Sequence, residues 1–360
     1  MTIPTTMKAM VLMGHGDLDQ YHWHEDWPTP SPAPGQVLIR VGACGMNNTD
    51  VNTRSGWYSK AVDEATTGGA FDEVDEDDPT WGGRPLTFPR IQGADVCGEI
   101  VAVGEGVASA RVGERVITDN WLRDPDDPDN KDKTGYYGSE LDGGYAEYTV
   151  IPSTNVIAVR SDLSDAELAT FSCSYSTAEG MLTRANVGAE DTVLVPGASG
   201  GVGGALVQLA KRRGARVIAL ASEAKHADVA ELGPDRILPR GPKDLRAALG
   251  DEKITVVADV VGGDYWPTLI DILERGGRYT CSGAIAGPMV NFDLRTFYLR
   301  DLTFTGSTVI DPIVTQNLVK YIEAGEVKPA LAATYRLSEL REAQAAFIAK
   351  KHTGNIVVVP

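Results

Sequence analysis

The stretch "DTVLVPGASGGVGGALVQLAKRRGARVIALAS", Asp191 to Ser222, decides the fold. Thr192 to Val195 is a short apolar run closed by Pro-Gly, and apolar residues then recur at helical spacing. "RVIALA" follows, almost wholly apolar, as a strand buried on both faces would be. Strand, Gly-rich turn, helix and second strand form the repeating unit of a parallel sheet with crossover helices. The turn holds Ser199, Gly200, Gly201, Val202 and Gly203. Glycine lets a backbone approach a pyrophosphate closely, and the first N–H groups of the helix offer unpaired donors and the positive dipole end to phosphate charge. Ala198 replaces the first Gly of the Gly-x-Gly-x-x-Gly fingerprint. The assignment therefore rests on the strand–turn–helix–strand context rather than on a literal match.

Working outward, the alternation continues through "KHADVAELG", "ITVVADVVG", "YWPTLIDILERGG" and "RYTCSGA". Upstream, "SDAELATFSCSYSTAEGMLTRA" has helical spacing, with Ser164 as N-cap and Glu167 three residues on. The first third is different: "KAMVLM", "GQVLIRVGA", "CGEIVAVG", "ERVITD" and "GYAEYTVIP" are short β-like runs punctuated by Gly and Pro, as in a compact barrel or sandwich. The last fifty residues add two helical segments, "PIVTQNLVKYIEAGE" and "SELREAQAAFIAKK", and the strand "GNIVVVP". At roughly 150 residues per domain, 360 residues imply two domains.

Charge excludes some functions. A formal net charge of −17 repels phosphate backbones and anionic lipid, so neither nucleic acid nor a membrane is an expected partner. No apolar run approaches the roughly 18 residues of a membrane span, and the N-terminus lacks signal-peptide features. Cys44, Cys97, Cys173 and Cys281 include no Cys-x-x-Cys pair, which fits a reducing, cytoplasmic setting. Two acidic stretches, 61–83 and 123–135, read as solvated insertions without the spacing of a calcium loop. An acid at the tip of the second strand would hold the ribose hydroxyls of NAD. The strand ends instead in Ser222, with Lys225 next and Arg240 after the following strand, a hydroxyl and two cations that suit the 2′-phosphate of NADP.

Along nearly its whole length the chain resembles the medium-chain dehydrogenase/reductase superfamily. The resemblance is carried by "PAPGQVLIRVGACGMNNTD", "GEIVAVGEGVASARVGERV", "DGGYAEYTVIP", "GASGGVGGALVQLAKRRGARVI" and "HTGNIVVVP". It implies an α/β architecture: a GroES-like, β-rich substrate domain (1–158 and 308–360) around a doubly wound Rossmann domain (159–307) that binds NADP. In zinc-dependent relatives the metal is held by a Cys in Cys-x-x-Asp, the His of Gly-His-Glu and a later Cys. Here those positions are Asn47, Ala94 and Cys173, and the four-cysteine structural lobe gives way to the acidic stretch 123–135. One thiol and one amide do not make the three N, S or O ligands of a catalytic zinc site, so no metal is expected.

Asn47-x-x-Asp50 and "ASGGVG" resemble the zinc-free quinone oxidoreductase and enoyl reductase branch. Two departures are Asn52, where a Tyr is frequent, and Asn355, where a Lys is frequent. The resemblance implies metal-free hydride transfer from NADPH to a quinone, enone or enoyl thioester. Asn47, Asp50 and Tyr58 are the candidate catalytic residues, with Asp50 orienting its neighbours. Thr177, Gly283 and Asn355 join the turn residues, Ser222, Lys225 and Arg240 around the cofactor. The edge strand "RDLTFTGSTV" is expected to pair across a homodimer or within a homotetramer. Two rival readings are an alcohol dehydrogenase with unusual zinc ligands and a nucleotide-binding sensor or structural protein without turnover.

Overall fold

The computed structural model describes residues 2–66, 68–71 and 85–360, so most of the insertion 61–83 lies outside the described residues. The first third forms β1 (Thr6–Leu12), β2 (Tyr21–Pro28), β3 (Gln36–Gly45), α1 (Asn48–Ser55), β4 (Asp95–Val103) and β5 (Arg115–Thr118). β6 (Trp121–Leu122), β7 (Gly135–Tyr136), β8 (Tyr148–Pro152) and β9 (Val156–Ala158) complete it. Helices and strands then alternate: α2 (Asp165–Leu168), α3 (Ser172–Arg184), β10 (Thr192–Val195), α4 (Gly201–Arg212), β11 (Arg216–Ala221) and α5 (His226–Ala230). β12 (Arg236–Pro239), α6 (Leu245–Leu249), β13 (Ile254–Asp259), α7 (Trp266–Asp271), β14 (Leu273–Cys281), α8 (Leu294–Leu299) and β15 (Thr303–Gly306) follow. The chain closes with α9 (Pro312–Glu323), β16 (Leu331–Arg336), α10 (Leu340–Ile348) and β17 (Asn355–Val359).

Two sheets position everything else. The parallel sheet has six strands in the order β12-β11-β10-β13-β14-β15. Its order reverses at β10, and the adjoining strand ends leave the crevice in which doubly wound sheets bind ligands. Val193, Val195, Val217 and Ala219 are fully buried, which explains why β10 and β11 read as continuous apolar runs rather than alternating ones. The second sheet has seven strands, β16-β17-β3-β4-β5-β9 with β8 on β3. β17 runs antiparallel to β3 through Val357 and Gly45, which stitches the end of the chain to its first third.

Local expectations meet the structure unevenly. The capping box at Ser164 forms: its N–H donates to Glu167 Oε2 at 2.8 Å, and the Glu167 N–H donates to Ser164 Oγ at 3.3 Å. The helical run 164–185 is nevertheless two helices, because the chain turns at Ala169–Phe171 against β3. A Cβ on Gly45 would lie 2.1 Å from the Ala169 carbonyl oxygen, so the approach needs glycine. "YWPTLIDILERGG" also divides: the helix stops at Asp271, and Leu273 already pairs with Ile254 of β13. Sheet pairing overrides helical periodicity there. β16 has no counterpart in the sequence reading, and the edge strand is only Thr303–Gly306.

Candidate active site

The turn after β10 takes the shape its glycines imply. Gly197 has φ 66°, the Gly200 N–H returns to the Gly197 carbonyl at 3.0 Å, and Gly200 caps α4. A Cβ on Gly203 would stand 2.1 Å from the Gly197 oxygen, whereas one on Gly200 meets nothing nearer than 3.5 Å. The turn is thus closed toward the protein and open toward the crevice. Across the crevice, the Gly354 N–H donates to the Ser199 carbonyl at 2.9 Å, tying the turn to the loop before β17.

A cavity of about 340 Å³ runs from this turn to the N-terminus of α1. Every sequence-nominated cofactor residue lines it: Thr177, Ser199, Gly200, Gly201, Val202, Gly203, Ser222, Lys225, Arg240, Gly283 and Asn355. Asn47 and Tyr58 line it as well; Asp50 does not. Asp50 lies behind the cavity wall, as a residue that orients its neighbours would. Asp50 is buried at the third position of α1, where its carboxylate accepts the Asn47 N–H at 2.8 Å. It orients Asn47 and reaches nothing in the cleft.

Two further nominated residues are committed elsewhere. Asn355 is buried, its Oδ1 accepting from Ser174 Oγ at 3.1 Å, so it pins α3 to β17. The Lys225 ammonium donates to the carbonyls of Lys350, at 2.8 Å, and His352, latching the two parts of the chain across the crevice. The reading from sequence missed Lys350, which lines the same cavity with its ammonium on Asn48 Oδ1 at 2.7 Å and over the Phe347 ring at 3.6 Å. Desolvation, then the charge of Lys225, holds Lys350 below the usual lysine range. Three cations and no carboxylate line the cavity among the described residues, and the buried Nδ1 of His352 has no partner. An open glycine cradle, these cations and an orphaned polar atom fit a phosphate-bearing dinucleotide.

At the other end, Asn47 is 6% exposed and its Nδ2 has no hydrogen-bond partner, leaning toward Asp95 without completing a bond. Asp95, also missed, is fixed by Asn120 Nδ2 at 2.8 Å and the Cys173 N–H at 2.9 Å. Burial lifts Asp95 to about 7, against the pull of Asn47 and Asn120, and lifts Asp50 to about 6. Burial also pushes the Tyr58 hydroxyl up to about 12, offset in part by Thr49 and Asn52, and raises the Cys173 thiol well above its ordinary value. Both therefore stay protonated at neutral pH.

The positions that hold zinc in metal-dependent relatives do not fit a zinc ion. Ala94 has no donor, Asn47 offers an amide, and Cys173 is held as a neutral thiol next to a carboxylate. Cys44 and Cys97 are buried; Cys97 Sγ contacts Asp165 at 3.5 Å and Cys44 Sγ its neighbouring Gly45 carbonyl at 3.8 Å. Among the described residues, no group of three His, Cys, Asp or Glu side chains gathers to hold a metal, and no helix is long and apolar enough to cross a membrane.

Comparison with known proteins gives two family matches: an alcohol dehydrogenase GroES-like domain over residues 33–161 and a zinc-binding dehydrogenase domain over 201–324. A crystal structure from Sinorhizobium meliloti 1021, provisionally named an alcohol dehydrogenase, is 47% identical with a TM-score of 0.90, covering 99% of this chain and 98% of its own. Acryloyl-coenzyme A reductase of Metallosphaera sedula is 28% identical over 98% of this chain and 99% of its own length. The chloroplastic NADPH-dependent alkenal/one oxidoreductase of Arabidopsis thaliana is 27% identical over 100% and 81%. Other relatives are named quinone oxidoreductase and NAD-dependent alcohol dehydrogenase.

Proposed function

The chain belongs to the medium-chain dehydrogenase/reductase superfamily and is an oxidoreductase; on that premise we propose that it is an NADPH-dependent reductase of conjugated carbonyl compounds or quinones, working without a metal. One observation carries the reading. Where a metal would polarise an oxygen, the chain sets a buried amide donor, Asn47 Nδ2, in the same cavity as the protonated Tyr58 hydroxyl. The relatives named for acryloyl-CoA, alkenal and quinone reduction support it. Relatives named as alcohol dehydrogenases favour alcohol oxidation, but the ligand positions here supply no Lewis acid for that route.

The glycine turn, Ser222, Arg240 and Lys350 would hold the dinucleotide, with Thr177 and Gly283 toward the nicotinamide. A bound NADPH would supply the hydride that the β-carbon of the acceptor receives. Asn47 Nδ2 and the Tyr58 hydroxyl donate hydrogen bonds to the carbonyl oxygen, on which negative charge gathers as an enolate. A proton taken up at the α-carbon completes the saturated carbonyl. Asp50 fixes Asn47 through its N–H, and Asp95 holds the end of α3 that carries Cys173. The test is NADPH and NADH oxidation by the purified chain across a panel of quinones and α,β-unsaturated carbonyls. No turnover with any acceptor defeats the reading.

A dimer belongs to the same proposal. β15 is the outer strand of the parallel sheet, and beside it Met289, Leu294, Tyr298 and Leu299 are 57–67% exposed. An unpaired edge next to an apolar patch favours pairing with a second copy.

A further inference from the structure

Asn52, a departure in the sequence, is buried in α1 and lines the same cavity as Tyr58. Its side chain is engaged at both ends. The Thr66 hydroxyl donates to Asn52 Oδ1 at 3.1 Å. The amide also hydrogen-bonds the Tyr58 hydroxyl, as Thr49 does, and both bonds oppose the rise that burial imposes on that group. A bond that favours the phenolate is made to the oxygen's lone pairs, and Nδ2 is the one donor an Asn side chain has. Asn52 therefore accepts from Thr66 and donates to Tyr58.

The backbone holds these partners in place. The Trp57 N–H donates to the Asn52 carbonyl at 2.9 Å, and Trp57 Nε1 donates to the Glu64 carbonyl at 2.8 Å. The chain thus leaves α1 at Trp57 and returns to it at Thr66, whose N–H donates to the Ile285 carbonyl at 3.0 Å. Ile285 follows β14 in the loop that carries Gly283. It lines this cavity and also a second one of about 600 Å³, on whose wall Thr66 stands. The Thr66–Asn52 pair sits where the two cavities adjoin.

Three donors then run in one direction. Thr66 O–H meets the Asn52 oxygen, Asn52 N–H meets the Tyr58 oxygen, and Tyr58 O–H serves the acceptor's carbonyl oxygen. Charge gathering at the end of such a chain polarises every link, so the links strengthen together as the enolate develops. Resting on the reading of the site as a conjugated-carbonyl reductase, we propose that Asn52 and Thr66 are positioning residues that act through Tyr58, fixing its hydroxyl as a donor to the acceptor oxygen. Because the chain responds to charge that appears only during reaction, its loss falls on kcat and spares KM.

The test is a double-mutant cycle, read by steady-state kinetics with NADPH and one conjugated ketone. Thr66→Val removes the hydroxyl with little change of shape, Thr66→Ser keeps it, and Asn52→Leu removes both amide groups. Thr66→Val should lower kcat about 3- to 10-fold and Asn52→Leu by at least as much, with KM nearly constant. Thr66→Ser should retain most of the wild-type kcat. In a Tyr58→Phe background neither Thr66→Val nor Asn52→Leu should cost anything further. Melting temperatures taken in parallel identify a variant that fails to fold, and Thr66→Val completes the cycle without Asn52→Leu. Equal losses in both backgrounds overturn the proposal, as does a wild-type kcat for Thr66→Val or a loss confined to KM. A wild-type chain that reduces no conjugated carbonyl, or a Tyr58→Phe variant as fast as wild type, defeats the functional reading instead, a distinct result.

Discussion

The phosphate turn offers a sharp test because two adjacent glycines have different surroundings. A Cβ on Gly203 would lie 2.1 Å from the Gly197 oxygen, 2.8 Å from its carbon and 2.9 Å from Ala198 Cα. These are backbone atoms of the turn itself, so relief requires moving the turn. A Cβ on Gly204 meets the Leu232 Cδ1 atom at 3.2 Å and the Ala198 oxygen at 3.6 Å, and the leucine tip can rotate away. Both positions are helical, so alanine brings about 1 kcal/mol of helix propensity to each. Gly204→Ala should therefore be neutral or stabilising by up to about 1 kcal/mol. Gly203→Ala carries the overpacking as well and should lose about 1–3 kcal/mol net. At roughly 2–4 °C per kcal/mol for domains of this size, the two melting temperatures should separate by several degrees. Thermal and urea denaturation run in parallel give the stability difference, and titration with NADPH gives the binding difference, which should also fall on Gly203→Ala alone. Equal stability and equal affinity of the two variants would falsify the account of Gly203 as packed against the backbone of the turn.

Tyr58→Phe should lower kcat by roughly 10²-fold with little change in KM, since the lost donor acts on charge that develops during reaction; steady-state kinetics decide, and an unchanged kcat removes Tyr58 from the mechanism. Asp50 is raised from 3.8 to about 6, so the native state binds the extra proton and stability falls as pH rises through that window, with the full deficit above it. Asp50→Asn keeps an oxygen for the Asn47 N–H and should be more stable than wild type at alkaline pH, by up to about 3 kcal/mol, with the gap closing toward acid; urea midpoints across pH measure it, and a variant weaker at alkaline pH contradicts the sign. Sedimentation should return a dimer for the wild-type chain, and Leu294→Lys with Leu299→Lys should release monomer; a monomeric wild type refutes the edge-strand interface.

The sequence disclosed what is local. The phosphate turn was legible because glycine, strand and helix signals fall within one continuous segment, and the capping box at Ser164 because its partners are three residues apart. Asn47 and Ala94 were legible as the sites of missing ligands, and Cys173 as the one retained, because the flanking motifs align. What depends on distant partners was hidden. Lys350 joins the cofactor end only because β17 returns to β3, and nothing in "AKKHTGN" marks that lysine apart from its neighbour. Asp95 was missed because its anchoring by Asn120 and the Cys173 N–H needs the packed structure. Asp50 was expected to orient its neighbours, but a motif gives spacing and not direction; only the structure shows its carboxylate turned inward to the Asn47 N–H. "ILERGG" read as helix because its period is helical, and pairing with β13 prevailed.

The central claim, that amide and hydroxyl donors stand in for a cation at Asn47 and Tyr58, is tested most directly by metal content measured together with turnover. Elemental analysis of active protein should find far less than one zinc per chain, and NADPH-dependent reduction should be unaffected by prolonged chelation. Stoichiometric zinc, with activity lost on chelation and restored by adding the ion, would contradict it.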